Sequence, residues 1–291
     1  MTPKDADISA PPPSDATSEI DGGDRFAFGH NWRRFLELVD HKRIAAAEES
    51  LRTMLGTTSL EGLRFLDIGC GSGLFSLAAR RLGARVHSLD FDPESVACAV
   101  ELQRRFAPRD PLWTIEQGSA LDRHYLDRLG AHDIVYSWGV LHHTGDMWAG
   151  LELAAGRVAP GGRLFIAIYN DAGGSSRRWK LIKHLYNRLP RVLRWPLVLY
   201  AMVRMWSFDV VKGALRGRPL AFLRRPADRG MSPWRDLFDW LGGYPYQYAK
   251  PEEIFEYYNA RGFALRKLKT AVNYGINEFV FERIAAGPVG E

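Results

Sequence analysis

The stretch Asp67-Ile68-Gly69-Cys70-Gly71-Ser72-Gly73 sets three glycines at alternate positions directly after an apolar run. Glycine carries no Cβ, so the backbone can approach a ligand closely and adopt positive φ. A side-chain-free turn at the carboxyl end of a strand is where open α/β sheets bind nucleotide-like ligands. The spacing narrows the choice. A dinucleotide GxGxxG loop needs glycine at position 74, where Leu74 stands, and no Lys-Ser/Thr follows to make a Walker loop. Asp67, just before the loop, is placed to meet a cationic part of the ligand. A second candidate is the pair His142-His143. Imidazole titrates near neutrality, which suits a general base. Adjacent histidines also suggest a metal, but no second cluster completes a site, and no metal is expected. Each feature has a plainer alternative: packing glycines, a helix-cap role for Asp67, and packing or helix capping near Asp146 for either histidine.

The elements that would hold these residues alternate. Leu63 to Ile68 is an apolar strand, and the glycine turn opens a helix from Leu74 to Leu82. Ala84 to Asp90 is a second strand. A helix starts at Pro93, a favoured first helical position, and runs to about Phe106. Leu112 to Gln117 and Asp133 to Trp138 are further strands. A helix from Asp146 to Val158 ends at Ala159-Pro160-Gly161-Gly162, and Arg163 to Tyr169 makes a fifth strand. This is a βαβ series with a mostly parallel sheet. The rhythm breaks for about seventy-five residues after Asn170, a stretch with five of the nine tryptophans, then resumes with a helix from Pro251 to Ala260 and strands at Phe263 to Leu268 and Asn277 to Arg283. Before the series, Phe35, Leu38, Val39, Ile44 and Leu51 recur at helical spacing. The expected organisation is a tail (1–24), a helical cap (25–58), an α/β core (59–170), a basic aromatic helical insert (171–250) and completion of the core (251–285).

Composition bounds the function classes. The 291 residues, 46% of them apolar, can bury a substantial core. Cys70 and Cys98 are too few for a disulfide framework, which fits a reducing cytoplasm. The Pro/Ser-rich amino end lacks the apolar run of a signal peptide. Trp195 to Val203 is the longest apolar run and falls well short of the ~20 residues that span a bilayer. The net charge of +5 conceals an asymmetry: fifteen basic residues lie between Arg177 and Arg235 against Asp209 and Asp228 alone, so this segment carries +13 and the remainder −8.

Over most of residues 60 to 170 the chain resembles the class I S-adenosylmethionine-dependent methyltransferases. FLDIGCGSG matches their first motif, VHSLDFDPESV (86–96) the second strand, and DIVYSWGVLHHTGD and APGGRLFIAIYN the fourth and fifth. The resemblance implies a doubly wound, Rossmann-like seven-stranded sheet with an antiparallel last strand. It also implies S-adenosylmethionine as cofactor and S-adenosylhomocysteine as product, held by Asp67, Gly69, Cys70, Gly71, Gly73, Asp90, Phe91, Ser119, Ala120 and Trp138. In the family the acid at Asp90's position holds both ribose hydroxyls, as a carboxylate can. Phe91 would wall the adenine. Ser119 stands where the family commonly has an acid for the adenine amino group.

Methyl transfer is an in-line displacement that, for a hydroxyl acceptor, also needs a proton removed. Methyltransferases of the ubiquinone and menaquinone type, which this chain resembles, carry Leu-Glu-His where it has Leu141-His142-His143, so His143 occupies the familiar histidine place and His142 departs from the glutamate. Tyr169 and Asn170 should face the same crevice. Gly242-Gly243-Tyr244-Pro245-Tyr246 describes a shaped loop, with Tyr244 or Tyr246 expected to line the acceptor pocket. Phe28 to Trp32 reads as a cap over the cofactor. The insert suggests a lid that chooses the acceptor, its arginines suited to a carboxylate or phosphate. Nucleic acid is disfavoured, since no RNA-binding module is recognisable. Residues 189–211 resemble a segment that lies on an anionic membrane surface. The expectation is therefore a small-molecule methyltransferase acting at oxygen on an aromatic, lipophilic or acidic acceptor. Carboxylate methylation, which needs no base, and a non-catalytic cofactor-binding regulatory or assembly protein stand as alternatives. Oligomeric state is not legible.

Overall fold

The structure is a computed structural model, and it describes residues 18–19, 29–218, 233–273 and 275–285. Most of the expected tail, Phe28 of the expected cap, and Arg224, Arg225 and Arg229 of the insert lie outside the described residues. The seven strands are β1 (Arg64–Ile68), β2 (Arg85–Asp90), β3 (Trp113–Gln117), β4 (His132–Trp138), β5 (Val158–Tyr169), β6 (Phe263–Lys269) and β7 (Ile276–Arg283). Their order in the sheet is β3-β2-β1-β4-β5-β7-β6, with β7 antiparallel to both neighbours and the first five strands parallel. The strand order reverses between β1 and β4, so a crevice opens at their carboxyl ends, which is the ligand position of this architecture. The glycine turn follows β1 and the two histidines follow β4.

The helices are α1 (Gly29–Leu36), α2 (His41–Leu55), α3 (Leu74–Arg81), α4 (Pro93–Phe106), α5 (Arg123–Leu129), α6 (Met147–Gly156), α7 (Gly174–Arg188), α8 (Trp195–Ala214), α9 (Pro233–Gly242) and α10 (Pro251–Asn259). Local chemistry explains the boundaries. The Asp92 carboxylate caps α4 by accepting from the Glu94 N–H, with Pro93 at the first helical position. Asp40 caps α2, and Gly56 ends it at φ +63. Leu66, Val135, Leu164 and Ile166 pack one face of the sheet against α6 and α10, while Phe65, Val86, Ile134 and Tyr136 pack the other against α2, α3 and α4.

Two elements differ from expectation. The helix after Asp146 stops at Gly156, and β5 begins at Val158, where the chain already pairs with His132. Ala159-Pro160-Gly161-Gly162 forms a bulge between that pair and Ile134↔Arg163, so turn residues sit inside the strand instead of before it. The seven-residue α5, capped by Asp122, is too short for periodicity to reveal.

The insert builds its own core. Trp179, Ile182 and Tyr186 of α7 meet Val198, Ala201 and Trp206 of α8 and Leu237 and Leu241 of α9, with Tyr246 fully buried among them and Tyr169 of β5 packed alongside. The insert is thereby seated on the carboxyl end of β5.

Candidate active site

On the donor side, the loop turns on positive φ at Gly69 (+81), Gly71 (+54) and Gly73 (+78). Its amides are directed: Gly69 and Cys70 donate to the Leu89 carbonyl at 2.8 and 3.0 Å, and Gly71 donates to Asp90 Oδ2 at 2.9 Å. Asp90 Oδ1 accepts from the Asp92 N–H at 3.0 Å. The carboxylate is thus locked at the end of β2 with further lone pairs available. Burial pushes its pKa up to about 6 against these backbone donors.

Asp67 is 1% exposed. Its Oδ2 accepts from Ser76 at 2.5 Å, Ser88 donates on to Ser76 at 2.7 Å, and Trp113 Nε1 donates to Ser88 at 2.9 Å. Asp67 Oδ1 has no hydrogen-bond partner among the described residues. Burial first, then the charge of Asp90, raises its pKa to about 7, with Ser76 opposing. A buried, unmatched carboxylate oxygen beside a glycine loop is the kind of group a cationic ligand would complete. Side chains pack directly onto two of the glycines: a Cβ on Gly69 would lie 2.4 Å from Val140 Cγ1, and one on Gly71 2.8 Å from Trp32 Cε2. Trp32 of α1 therefore lies against the loop, and α1 is pinned there by the Gly29 N–H donating to Asp92 Oδ2 at 2.8 Å.

The other expected donor-side residues are distributed around this loop. Cys70 is buried, and burial with the charges of Asp90 and Asp67 keeps it a thiol. Phe91 follows Asp90 and is half-buried, its carbonyl accepting from Gln117 Nε2. The Ser119 hydroxyl accepts from the Leu121 N–H at 3.1 Å, and Ala120 packs into the α6-side core. Trp138 ends β4 and packs toward the α2-side core.

On the acceptor side, β4 leads through Gly139 (φ +77) into a tight turn, Leu141–His143. Asp146, not a histidine, caps α6 by accepting from Ala149 N–H at 3.1 Å. His143 Nδ1 lies 2.5 Å from the Pro245 carbonyl. A carbonyl only accepts, so Nδ1 carries the proton and Nε2 the lone pair. Burial, and then the nearby Lys183, lower its pKa to about 3. His142 is fully buried, and neither ring nitrogen reaches hydrogen-bond geometry with a partner among the described residues. Burial, His143 and Lys183 hold it neutral, and the nearby Ala167 backbone offsets this only in part. Its ring centroid lies 4.1 Å from that of Tyr169, with the planes tilted by 47°, and the Tyr169 centroid is 5.0 Å from Tyr246 and 5.5 Å from Trp240.

The expectation for the Gly242–Tyr246 loop divides between its two tyrosines. Tyr246 joins the Tyr169 cluster, whereas the Tyr244 hydroxyl lies 3.0 Å from His184 Nδ1, within the insert. The loop is fastened over the histidines by Gln247, whose N–H donates to the His142 carbonyl at 2.9 Å and whose Oε1 accepts from the Met147 N–H at 2.9 Å. Asn170 departs from the crevice expectation. Its Nδ2 donates to the Asn273 carbonyl and its Oδ1 accepts from Asn277, so the amide ties the end of β5 to the segment before β7. Among the described residues no group of three His, Cys, Asp or Glu side chains is arranged to hold a metal ion.

In the sequence Lys183 is one basic residue of the insert among fifteen. In the fold it is fully buried, its Nζ donating to the Trp240 carbonyl and lying 4.0 Å from the Trp240 ring centroid, 4.7 Å from that of Tyr246 and 6.0 Å from that of Tyr169. A signal was available: Trp179, Ile182, Lys183 and Tyr186 occupy one helical stripe, so the periodicity that buries the other three buries the lysine too.

Comparison with known proteins bears on this geometry. A family model described as a methyltransferase domain matches residues 39–210. Curated relatives include the ubiquinone biosynthesis O-methyltransferases of Methylobacterium sp. strain 4-46, 35% identical over 130 residues (44% of this chain, 49% of that one), and of Rhodopseudomonas palustris strain HaA2, 31% identical over 155 residues (53% and 56%). The chain spans about half the length of the curated relatives it matches. Among solved structures, magnesium protoporphyrin IX methyltransferase from Synechocystis PCC 6803 with bound SAH shares the fold at TM-score 0.53 and 17% identity, over 92% of this chain and 100% of that one.

Proposed function

The chain belongs to the class I S-adenosylmethionine-dependent methyltransferases, and we propose that it methylates an oxygen of a small aromatic, lipophilic or acidic acceptor. The observation that carries this reading is the placement of two unlike sites at one sheet edge. The loop with Asp67 and Asp90 follows β1 and β2, and the histidine turn follows the adjacent β4. When bound, S-adenosylmethionine supplies an electrophilic methyl on a sulfonium whose departure leaves a neutral thioether. Asp90 would hold the ribose hydroxyls, the loop glycines would admit the cofactor's backbone-facing side, and Asp67 Oδ1 would meet its ammonium group. Phe91, Ser119, Ala120 and Trp138 would bound the adenine and the methyl-bearing end.

His143 would orient the acceptor hydroxyl through its Nε2 lone pair. With a pKa of about 3 it directs a proton without retaining one at neutral pH. His142 and Tyr169 would form the wall behind it, with Tyr246 closing the pocket. The ubiquinone biosynthesis enzymes among the relatives support an aromatic, lipophilic acceptor.

Lipophilicity also accounts for α8. Among the described residues no helix is long and apolar enough to cross a membrane. Yet Trp195, Leu199, Val203, Phe208 and Val211 of α8 are each more than half exposed, with Arg204 among them and Lys212 directly after. Apolar area flanked by cations suits an anionic membrane surface, and we place the acceptor's delivery there. Vesicles with anionic lipid should retain the wild-type chain and release a Trp195→Ser, Val203→Ser variant.

Titration with S-adenosylhomocysteine and assay of methyl transfer from labelled cofactor to fractionated cell extract test the reading together. Binding with transfer supports it. Binding without transfer to any fraction would favour a cofactor-binding regulatory protein.

A further inference from the structure

Resting on the methyltransferase reading above, we propose that Lys183 holds the ionised oxygen of a phenolic acceptor in a cage walled by Tyr169, Trp240 and Tyr246. The lysine is 0% exposed, and among the described residues its Nζ donates to the Trp240 carbonyl. Its Nζ sits over the Trp240 and Tyr246 rings at 4.0 and 4.7 Å. The groups that face it are His142 and His143 from the turn after β4, Tyr169 from β5, Trp240 from α9 and Tyr246 from the following loop. Among the described residues no carboxylate is paired with it. Asp171 bears on Tyr246 and Tyr248 instead.

A buried amine with no counterion is a costly feature for a structural role, which a leucine would fill more cheaply. Burial alone drives Lys183 toward the uncharged amine. Ring faces favour a cation without neutralising it. What the site lacks is an anion, and what lines it is aromatic. A planar ring bearing one acidic hydroxyl supplies both. Such a ring reaches Nζ by displacing Tyr169 or Trp240, both partly exposed.

The proton balance is then complete. The acceptor's O–H bond breaks, its proton passes to the Lys183 amine, and the electron pair stays on oxygen as the nucleophile toward the methyl carbon. The methyl–sulfur bonding pair leaves with sulfur, and the ammonium returns its proton to solvent as product departs. Lys183 and Trp240 both belong to the insert, so the insert selects the acceptor as well as covering it.

The test uses 4-nitrophenol, whose phenolate absorbs in the visible where the phenol does not, with the full chain saturated by S-adenosylhomocysteine at a pH below the phenol's own pKa. Wild type should raise the phenolate absorbance on binding. Lys183→Met should abolish that rise and weaken phenolate binding at least about tenfold, with S-adenosylhomocysteine affinity unchanged. Lys183→Gln, which keeps a donor for the Trp240 carbonyl, serves if the methionine variant fails to fold. Absence of the absorbance rise with wild type, an equal rise in the variants, or binding of 4-nitrobenzoate in place of the phenol would each overturn the proposal. Failure of wild type to bind S-adenosylhomocysteine would instead overturn the methyltransferase reading on which it rests.

Discussion

The two sides of the crevice are built on opposite plans. The donor side is local: over a span of 26 residues, from Asp67 to Asp92, the Gly71 and Asp92 amides bind the Asp90 carboxylate and the Ser76 hydroxyl binds Asp67, whose Oδ1 has no partner among the described residues. The acceptor side is assembled from afar: Lys183 meets a carbonyl 57 positions away, and His143 meets one 102 positions away. A cofactor shared by a whole family rewards a fixed local motif, whereas an insert with its own core is free to change without disturbing the sheet, which is why we propose it as the part that chooses the acceptor.

The sharpest break of the donor side is Asp90→Ala. It removes the acceptor for Gly71 and the proposed ribose contact together, and S-adenosylhomocysteine affinity measured by calorimetry should fall on the order of 1000-fold while the chain stays folded. Unchanged affinity would remove Asp90 from the cofactor site. On the acceptor side, His143→Ala should lower kcat by about 100-fold with cofactor affinity untouched. An unaltered rate would return His143 to packing against Pro245 and Gly243. If both variants impaired cofactor binding alike, the separation of the two plans would be lost.

A smaller effect is expected from Gly71→Ala. At φ +54, with Trp32 2.8 Å from the new methyl carbon, the variant must strain the loop or displace α1, and cofactor binding should weaken about tenfold. Trp32 fluorescence would report the displacement.

The smallest test concerns pH. The folded-state pKa of Asp67, about 7, lies above its ordinary value of 3.8. The stability this group contributes is therefore fully present below that ordinary value and is lost as pH rises through about 7. Between pH 4 and pH 7 the melting temperature of wild type should fall relative to that of Asp67→Asn by a few degrees. Parallel curves would show that Asp67 is ionised in the folded chain.

The same contrast explains what was legible from sequence. The spacing Asp67, Gly69, Gly71, Gly73, with Leu at 74 and Asp90 one strand later, is a local code, and the alternation of strands and helices and the helix start at Pro93 follow from periodicity and turn chemistry that neighbours do not override, whereas the antiparallel β7 was implied by the family resemblance alone. The bulge at Ala159–Gly162 was misplaced because proline and glycines mark a turn without saying whether a strand contains it. Asn170 looked like a crevice residue because strand ends usually are, but Asn273 and Asn277 bind its amide from a segment about a hundred positions on. The burial of Lys183 is legible in the stripe Trp179, Ile182, Lys183 and Tyr186, but its surroundings are not. Its environment is made by Trp240, Tyr246 and Tyr169, and only the fold brings them together.

Alkali treatment of the labelled product tests the account most directly. Wild type incubated with methyl-labelled S-adenosylmethionine and fractionated extract should yield label in an aromatic ether that survives alkali. Release of the label as methanol would identify a carboxylate ester, and no labelled product at all would leave a chain that binds its cofactor without transferring it; either contradicts oxygen methylation of a phenol.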